Sequence, residues 1–373
     1  VNEVNIINEE KESGEAWAFS EVCAISPYSG DILLQSGKTV DFSFGVYRYG
    51  SENDGSLRAS ALLGSPSSAV FYGSKSWDKN SVRYSRQVEP SGLLADADID
   101  GEFIKGSISN TGDKSFSDVM LIAGGEVFRI GDFGPGEAYE IFIDLSESSY
   151  AYPAPYQVSR DAFPGFEDRW SARKLMDSGE EKEYDAYVKM LRKSLLEGSL
   201  NRFLNNYTSG EYRFPLMLVA FTSSGETSDG YYVNGKSAKN FSNDMYVMDM
   251  GFELLGKQSY YIPFGFLTPS YITVNSAETE YYDKEYPFFY TLKGGTAEVV
   301  FDLLGIGDIK SADVIWETEG KVYAFNHESG QWDAVKGSLG AKYTAGGSLR
   351  LKTEVEPERD SKIPMIALKG GLL

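Results

Sequence analysis

The sequence predicts a mainly β, multidomain protein: β-sandwich modules with one small α/β segment between them. Three observations carry that prediction. Turn-forming Gly (39 of 373 residues) accompanies an unusual supply of Tyr (25) and Phe (22), the residues that suit pleated, half-buried surfaces. Short runs of alternating apolar and polar residues recur, separated by Gly/Ser/Asn/Asp clusters. Only one stretch, 166–204, carries a helical period, and its charges balance.

In chain order, residues 1–95 form an N-terminal β region. Glu21 to Ile25, Asp41 to Tyr49 and Ala69 to Tyr72 read as strands, and the clusters Gly50 to Gly55 and Gly64 to Ser68 as turns. Residues 96–148 are the clearest sandwich segment. Strands are expected at Gly101 to Asn110, Ser117 to Ala123, Val127 to Ile130 and Ala138 to Leu145, with a glycine-rich turn at Gly131 to Glu137.

Three runs in this segment form a pattern: Gly106-Ser107-Ile108-Ser109-Asn110-Thr111-Gly112, Phe116-Ser117-Asp118-Val119-Met120-Leu121 and Ile130-Gly131-Asp132-Phe133-Gly134-Pro135-Gly136-Glu137. The pattern resembles that of immunoglobulin-like modules of bacterial envelope proteins. The resemblance covers some 50 residues. It implies an extracytoplasmic immunoglobulin-like β-sandwich with no catalysis of its own.

Residues 149–250 are expected to be a helical and α/β insertion with polar loops. Tyr184, Val188, Leu191, Leu195 and Phe203 share one helical stripe, and Gly179 divides the region into two helices. Eight acidic and eight basic residues lie between Phe166 and Leu204, so the net charge of −20 sits on the β portions. Phe214 to Phe221 reads as a fully buried strand, and 222–250 as polar loop. Residues 251–373 give a C-terminal β-sandwich, with strands at Ala297 to Leu303, Ala312 to Trp316, Val322 to Phe325, Gly347 to Thr353 and Pro364 to Leu368. Tyr323-Ala324-Phe325-Asn326 followed by Ser329-Gly330-Gln331-Trp332 resembles a hairpin of secreted β modules. The whole chain is similar to ectodomains of membrane-anchored envelope proteins of Gram-positive bacteria. That likeness implies an anchor in a segment outside this chain, and a cell-wall or host glycan or another envelope protein as partner.

Composition narrows the chemistry. With 35 Lys+Arg against 55 Asp+Glu the chain repels phosphate backbones, so no nucleic-acid partner is expected. One His (His327) and one Cys (Cys23) leave no zinc knuckle, internal disulfide or histidine relay, and no cofactor is expected. His327 falls in a hairpin turn and reads as solvated. Cys23 lies in an apolar strand and reads as a small buried hydrophobe. Neither a nucleophile elbow nor a phosphate loop occurs. Asp96-Ala97-Asp98-Ile99-Asp100-Gly101 has the opening spacing of a calcium loop, but its twelfth position is Ser107 rather than Glu, so no metal site is assigned. The best binding candidates are Tyr281, Tyr282, Tyr286 and Tyr290, whose rings, interleaved with carboxylates, could stack on sugar faces; alternate aromatics packing a core is the competing reading. The functional expectation is a non-catalytic, extracytoplasmic binding or spacer ectodomain, with catalytic residues unknown. A carbohydrate-binding module or a two-carboxylate glycoside hydrolase is the alternative.

Overall fold

The computed structural model describes residues 1–10, 14–37, 42–49, 59–62, 67–147, 155–166, 169–179, 182–205, 213–224, 230–238, 241–275, 277–278, 281–283 and 288–372. Its frame is an eight-stranded sheet. From one edge to the other run Glu126–Phe133, Phe116–Ala123, Leu216–Ser224, Phe241–Asp249, Asn2–Glu9, Ala16–Ile25, Lys79–Val88 and Phe42–Tyr49. All neighbours are antiparallel except Asn2–Glu9 and Phe241–Asp249, which pair in parallel from Asn2 opposite Phe241 to Glu9 opposite Met248. Alternation in the sequence produces alternation in space: every second residue of Ala16–Ile25 is buried.

Each face of this sheet is covered differently. On one face lie the helices α1 (Pro155–Ala162), α2 (Arg169–Ser178) and α3 (Glu183–Asn205), packed over Met120, Ile122, Met217, Val219, Phe221 and Met245. The other face carries two smaller sheets. One is three-stranded, in the order Ala138–Asp144, Phe103–Asn110, Leu93–Asp100. The second is five-stranded and includes Gly30–Ser36, Ser68–Ser74 and Tyr231–Val233. Two β-sandwiches therefore stand side by side on one shared sheet, and the fold is mainly β with several sheets. Beyond residue 252 a four-stranded and a six-stranded sheet form the C-terminal unit. Its core is continuous with that of the three-stranded sheet, from Ile99 and Ile104 through Tyr260 and Ile262 to Phe301 and Leu351.

The shared sheet takes strands from 1–95, from 96–148 and from 149–250 alike. Backbone pairing joins residues hundreds of positions apart, which composition along the chain does not register.

Two local readings are corrected. The polar stretch within 222–250 holds the hairpin Tyr231–Val233 and Lys236–Ser237 and the interior strand Phe241–Asp249. Its polar residues are retained because Ser242 and Asp244 bond to Asn5 on the parallel neighbour. The helical stripe is also displaced. In α3 the buried side chains are Ala186, Arg192, Lys193, Leu196 and Leu200, whereas Tyr184 is 60% exposed. Val188, Leu191 and Leu195 line the margin of the contact. The helix is amphipathic in space without being so in composition, because Arg192 and Lys193 occupy buried positions with their charges paired. Gly179, at φ 76°, closes α2 as a left-handed helix cap.

Candidate functional site

The sandwich pattern builds a cleft of about 770 Å³ between the edge of the eight-stranded sheet and α3. Its floor is Ser115 to Asp118. Asp132, Phe133, Gly134 and Glu137 form one wall, and Tyr184, Asp185, Val188, Lys189 and Arg192 of α3 form the other. Two of the three residue runs that carry the sequence pattern line it. Gly106 and Asn110 act structurally. An added Cβ at Gly106 would meet the Asp96 carbonyl oxygen at 2.0 Å. Asn110, 1% exposed, pins the following turn by donating to the Lys114 carbonyl and accepting from the Gly112 amide. The other two runs supply the cleft itself.

Asp118 is the centre of the cleft. Register slips on both sides of Val119 mark a bulge in Phe116–Ala123, and Asp118 sits in it with φ 48°. A left-handed backbone costs a non-glycine residue about 1 kcal/mol or more, and such strain is concentrated at functional sites. Its carboxylate is ion-paired with the Arg192 guanidinium, and its amide donates to Asp132 Oδ1 at 3.4 Å. Arg192 is 6% exposed and lies over the Phe221 ring, 5.3 Å from its centroid. Glu137 Oε2 accepts the Gly134 amide at 2.6 Å, which fixes the glycine-rich turn. The cleft thus offers four carboxylates, two cations and the exposed Tyr184 ring: a polar recess suited to a hydroxyl-rich or charged ligand. Sequence reasoning used Asp118, Asp132 and Glu137 only as fold markers. Arg192 gave no signal, because its partner is 74 positions away.

A second polar cluster lies inside, where the two sandwiches meet on the shared sheet. The Tyr84 hydroxyl donates to Glu3 Oε1 at 2.7 Å and is 2.8 Å from the Tyr231 hydroxyl. Burial, reinforced by the Glu3 charge, pushes the Tyr84 phenol up to about 12. Burial, then the charges of Tyr84 and Glu3, raise Tyr231 further in the same direction. Next to it Asn5 donates to Asp244 Oδ1 at 2.8 Å and accepts from Ser20 Oγ at 2.5 Å. These bonds tie Asn2–Glu9, Ala16–Ile25, Lys79–Val88, Tyr231–Val233 and Phe241–Asp249 together.

The sequence candidates are placed as follows. Tyr281 and Tyr282 belong to the strand Tyr281–Asp283, which pairs with Phe288–Thr291 so that Tyr281 is opposite Tyr290. Their side chains and all of Tyr286 lie outside the described residues. Tyr290 is half-buried, and its neighbour Phe289 is fully buried. Asp96, Asp98 and Asp100 stand in a row on the exposed face of Leu93–Asp100, where Asp98 pairs with Lys257 and Asp100 with Lys105. A strand separates such alternate carboxylates by about 7 Å, too far to close one oxygen cage. His327 is anchored rather than solvated: its Nε2 is 3.1 Å from the Ser348 carbonyl, and its ring meets Phe325 edge-on. Cys23 is half-buried on the face away from the Val22 and Ala24 core, and burial pushes its thiol up. Among the described residues no three His, Cys, Asp or Glu side chains gather to hold a metal ion, and no helix is long and apolar enough to cross a membrane.

The pairing of the C-terminal six-stranded sheet creates one aromatic row that sequence reasoning missed. Trp332, Phe325, Arg350, Val300 and Tyr271 lie side by side on five adjacent strands. Arg350 lies over Phe325 at 4.6 Å and bonds to Glu298 at 2.7 Å.

Residues 92–253 match the family described as a domain of unknown function (DUF8725), a span that contains the whole cleft. No curated protein matches the chain. Among solved structures, the chain is similar to the yeast delta-COP-I mu-homology domain complexed with a Dsl1 WxWxV peptide, at 7% identity and a TM-score of 0.28 over 67% of this chain and 94% of that one. It is also similar to the type II cohesin dyad from the adaptor ScaA scaffoldin of Acetivibrio cellulolyticus, at 9% identity and a TM-score of 0.16 over 100% of this chain and 85% of that one. Likenesses at this level carry no argument about function. The comparisons therefore give one conclusion: the stretch that matches the DUF8725 family, within a mainly β chain, holds the cleft.

Proposed function

We propose that this chain is a non-catalytic binding ectodomain of a bacterial envelope protein, and that the cleft beneath α3 holds its ligand. The observation that supports this reading is Asp118, held in left-handed backbone at a bulge by a buried arginine from another layer. Strain maintained by a long-range ion pair fixes a carboxylate for recognition. A rigid pair of sandwiches on one sheet suits presentation of such a site away from a surface. The aromatic row of Tyr271, Phe325 and Trp332 supports a second reading, a carbohydrate-binding face, because rings spaced along a sheet can stack on sugars.

The test is calorimetric titration with soluble peptidoglycan fragments, anionic wall polymers and neutral polysaccharides, with product release from each followed chromatographically. Wild type should bind one class saturably without releasing product. Tyr184→Ala with Asp185→Ala, both on the exposed side of the cleft, should weaken that binding about tenfold. Product formation proportional to protein concentration would overturn the non-catalytic reading. Binding lost on Trp332→Ala instead would move the site to the aromatic row.

A further inference from the structure

We propose that the strand Ala138–Asp144 is an open edge that takes an extended basic peptide of another protein as an added strand. The inference depends neither on the α3 cleft nor on the compartment proposed above.

Backbone pairing supplies the first part of the argument. Asn110 N–H donates to the Glu137 carbonyl at 2.9 Å, and Leu145 N–H to the Glu102 carbonyl at 2.8 Å. With the continuous antiparallel register between them, these bonds set the parity of the ladder. Residues 139, 141 and 143 bond inward to Phe103–Asn110. The N–H and C=O groups of Ala138, Glu140 and Phe142 point outward, and among the described residues nothing pairs with them.

The opposite edge of the same three-stranded sheet is blunted at both ends. There, Thr111 N–H donating to the Gly92 carbonyl turns residues 93, 95, 97 and 99 outward. The Leu93 amide is taken by Ser91 Oγ at 3.0 Å and the Ile99 amide by Asp98 Oδ1 at 2.9 Å. Gly101, just beyond, bridges to Tyr260. An exposed strand edge with free ladder groups is a template for another chain, and proteins ordinarily blunt it as this one does on the Leu93–Asp100 side.

Side chains define the partner. Phe142 is 64% exposed and stacks on Phe103 with centroids 5.0 Å apart, which leaves its other face open. Two positions to either side on the same face stand Glu140 and Asp144. From Glu137 to Glu147 there are four acidic residues and no basic one. A strand added here needs an apolar residue opposite Phe142 and a lysine or arginine two positions to each side. Its pattern is therefore basic–apolar–apolar–apolar–basic, the intervening residues lying beside Ile141 and Ile143, which face the core. Pairing with a second copy would bring acidic rows together, so charge complementarity selects a different protein.

The probe is acetyl-Gly-Lys-Val-Leu-Val-Lys-Gly-amide, followed by fluorescence anisotropy at low and high salt. Saturable binding below about 1 mM is expected. N-methylation of the peptide's ladder amides, or exchange of its lysines for glutamates, should weaken binding about tenfold or more. On the protein, Phe142→Pro removes an outward N–H at an edge position that tolerates proline, and should do the same with the unfolding midpoint retained. Glu140→Lys with Glu147→Lys, both exposed, should transfer preference to the glutamate peptide. Absence of saturable binding, equal affinity for the N-methylated peptide, or indifference to both variants would overturn the proposal. So would concentration-dependent dimerisation abolished by Phe142→Pro, which would make the occupant a second copy.

Discussion

Replacing Tyr84 by Phe removes one hydroxyl from the cluster that joins the two sandwiches. At neutral pH this leaves the Glu3 carboxylate, 9% exposed, short of a donor at 2.7 Å, and Tyr231 without its hydroxyl neighbour. Leaving a buried acceptor short costs about 1–3 kcal/mol. The alkaline limb behaves in the opposite way. Burial first, and the Glu3 charge second, raise the Tyr84 phenol from 10.0 to about 12 in the folded protein. Between those values the unfolded chain has lost the proton and the folded one retains it, so stability falls as pH rises. The contribution is complete below about pH 10 and gone above about pH 12; two units correspond to about 3 kcal/mol. The Phe variant lacks this phenol and this part of the slope. Urea unfolding at stepped pH should show the variant weaker at pH 7 to 9 and the gap closing toward pH 12. A gap that stays constant across that window would refute the assignment of the raised phenol to Tyr84.

Further outcomes follow from single contacts. Gly106→Ala places a Cβ 2.0 Å from backbone on the neighbouring strand, which must splay, so a loss of at least about 2 kcal/mol is expected in denaturant unfolding. Leu196→Ala, inside the α3 contact, should cost about 2–5 kcal/mol, whereas the half-exposed Leu191→Ala should cost about 1; equal losses would restore the stripe read from sequence. Arg192→Met keeps the bulk but leaves Asp118, whose side chain is 29% exposed, without its cation. Solvent screening brings the cost to about 2–3 kcal/mol, checked by thermal unfolding with the cleft-binding titration run in parallel.

The strands of residues 96–148 were legible because their information is local. An apolar run marks Phe116–Ala123, which is buried on both faces. Ile141 and Ile143 of Ala138–Asp144 report burial on one face whichever strand lies beside it, and Asn110 with Gly112 makes a turn from bonds a few residues long. The cleft residues Asp118, Asp132 and Glu137 were visible as a pattern. Their chemistry was not, since it depends on Arg192, which reads in one dimension as part of a solvated helix face.

By itself the sequence determined the class of the molecule: mainly β, with one charge-neutral helical segment and the surplus of carboxylates left to the β portions. It also marked a share of the strand positions, because the pleat imposes its period of two on any strand with one buried face. The tertiary structure decided which strands share a sheet. Asn2–Glu9 lies parallel to Phe241–Asp249, and that pairing turns an apparent polar loop into the middle of the frame. It also decided which side of α3 is buried, where Asp118 finds its cation, and which edge of the three-stranded sheet stays open. Each of these depends on partners distant along the chain, and neither the period nor the composition of a segment specifies which partner it meets.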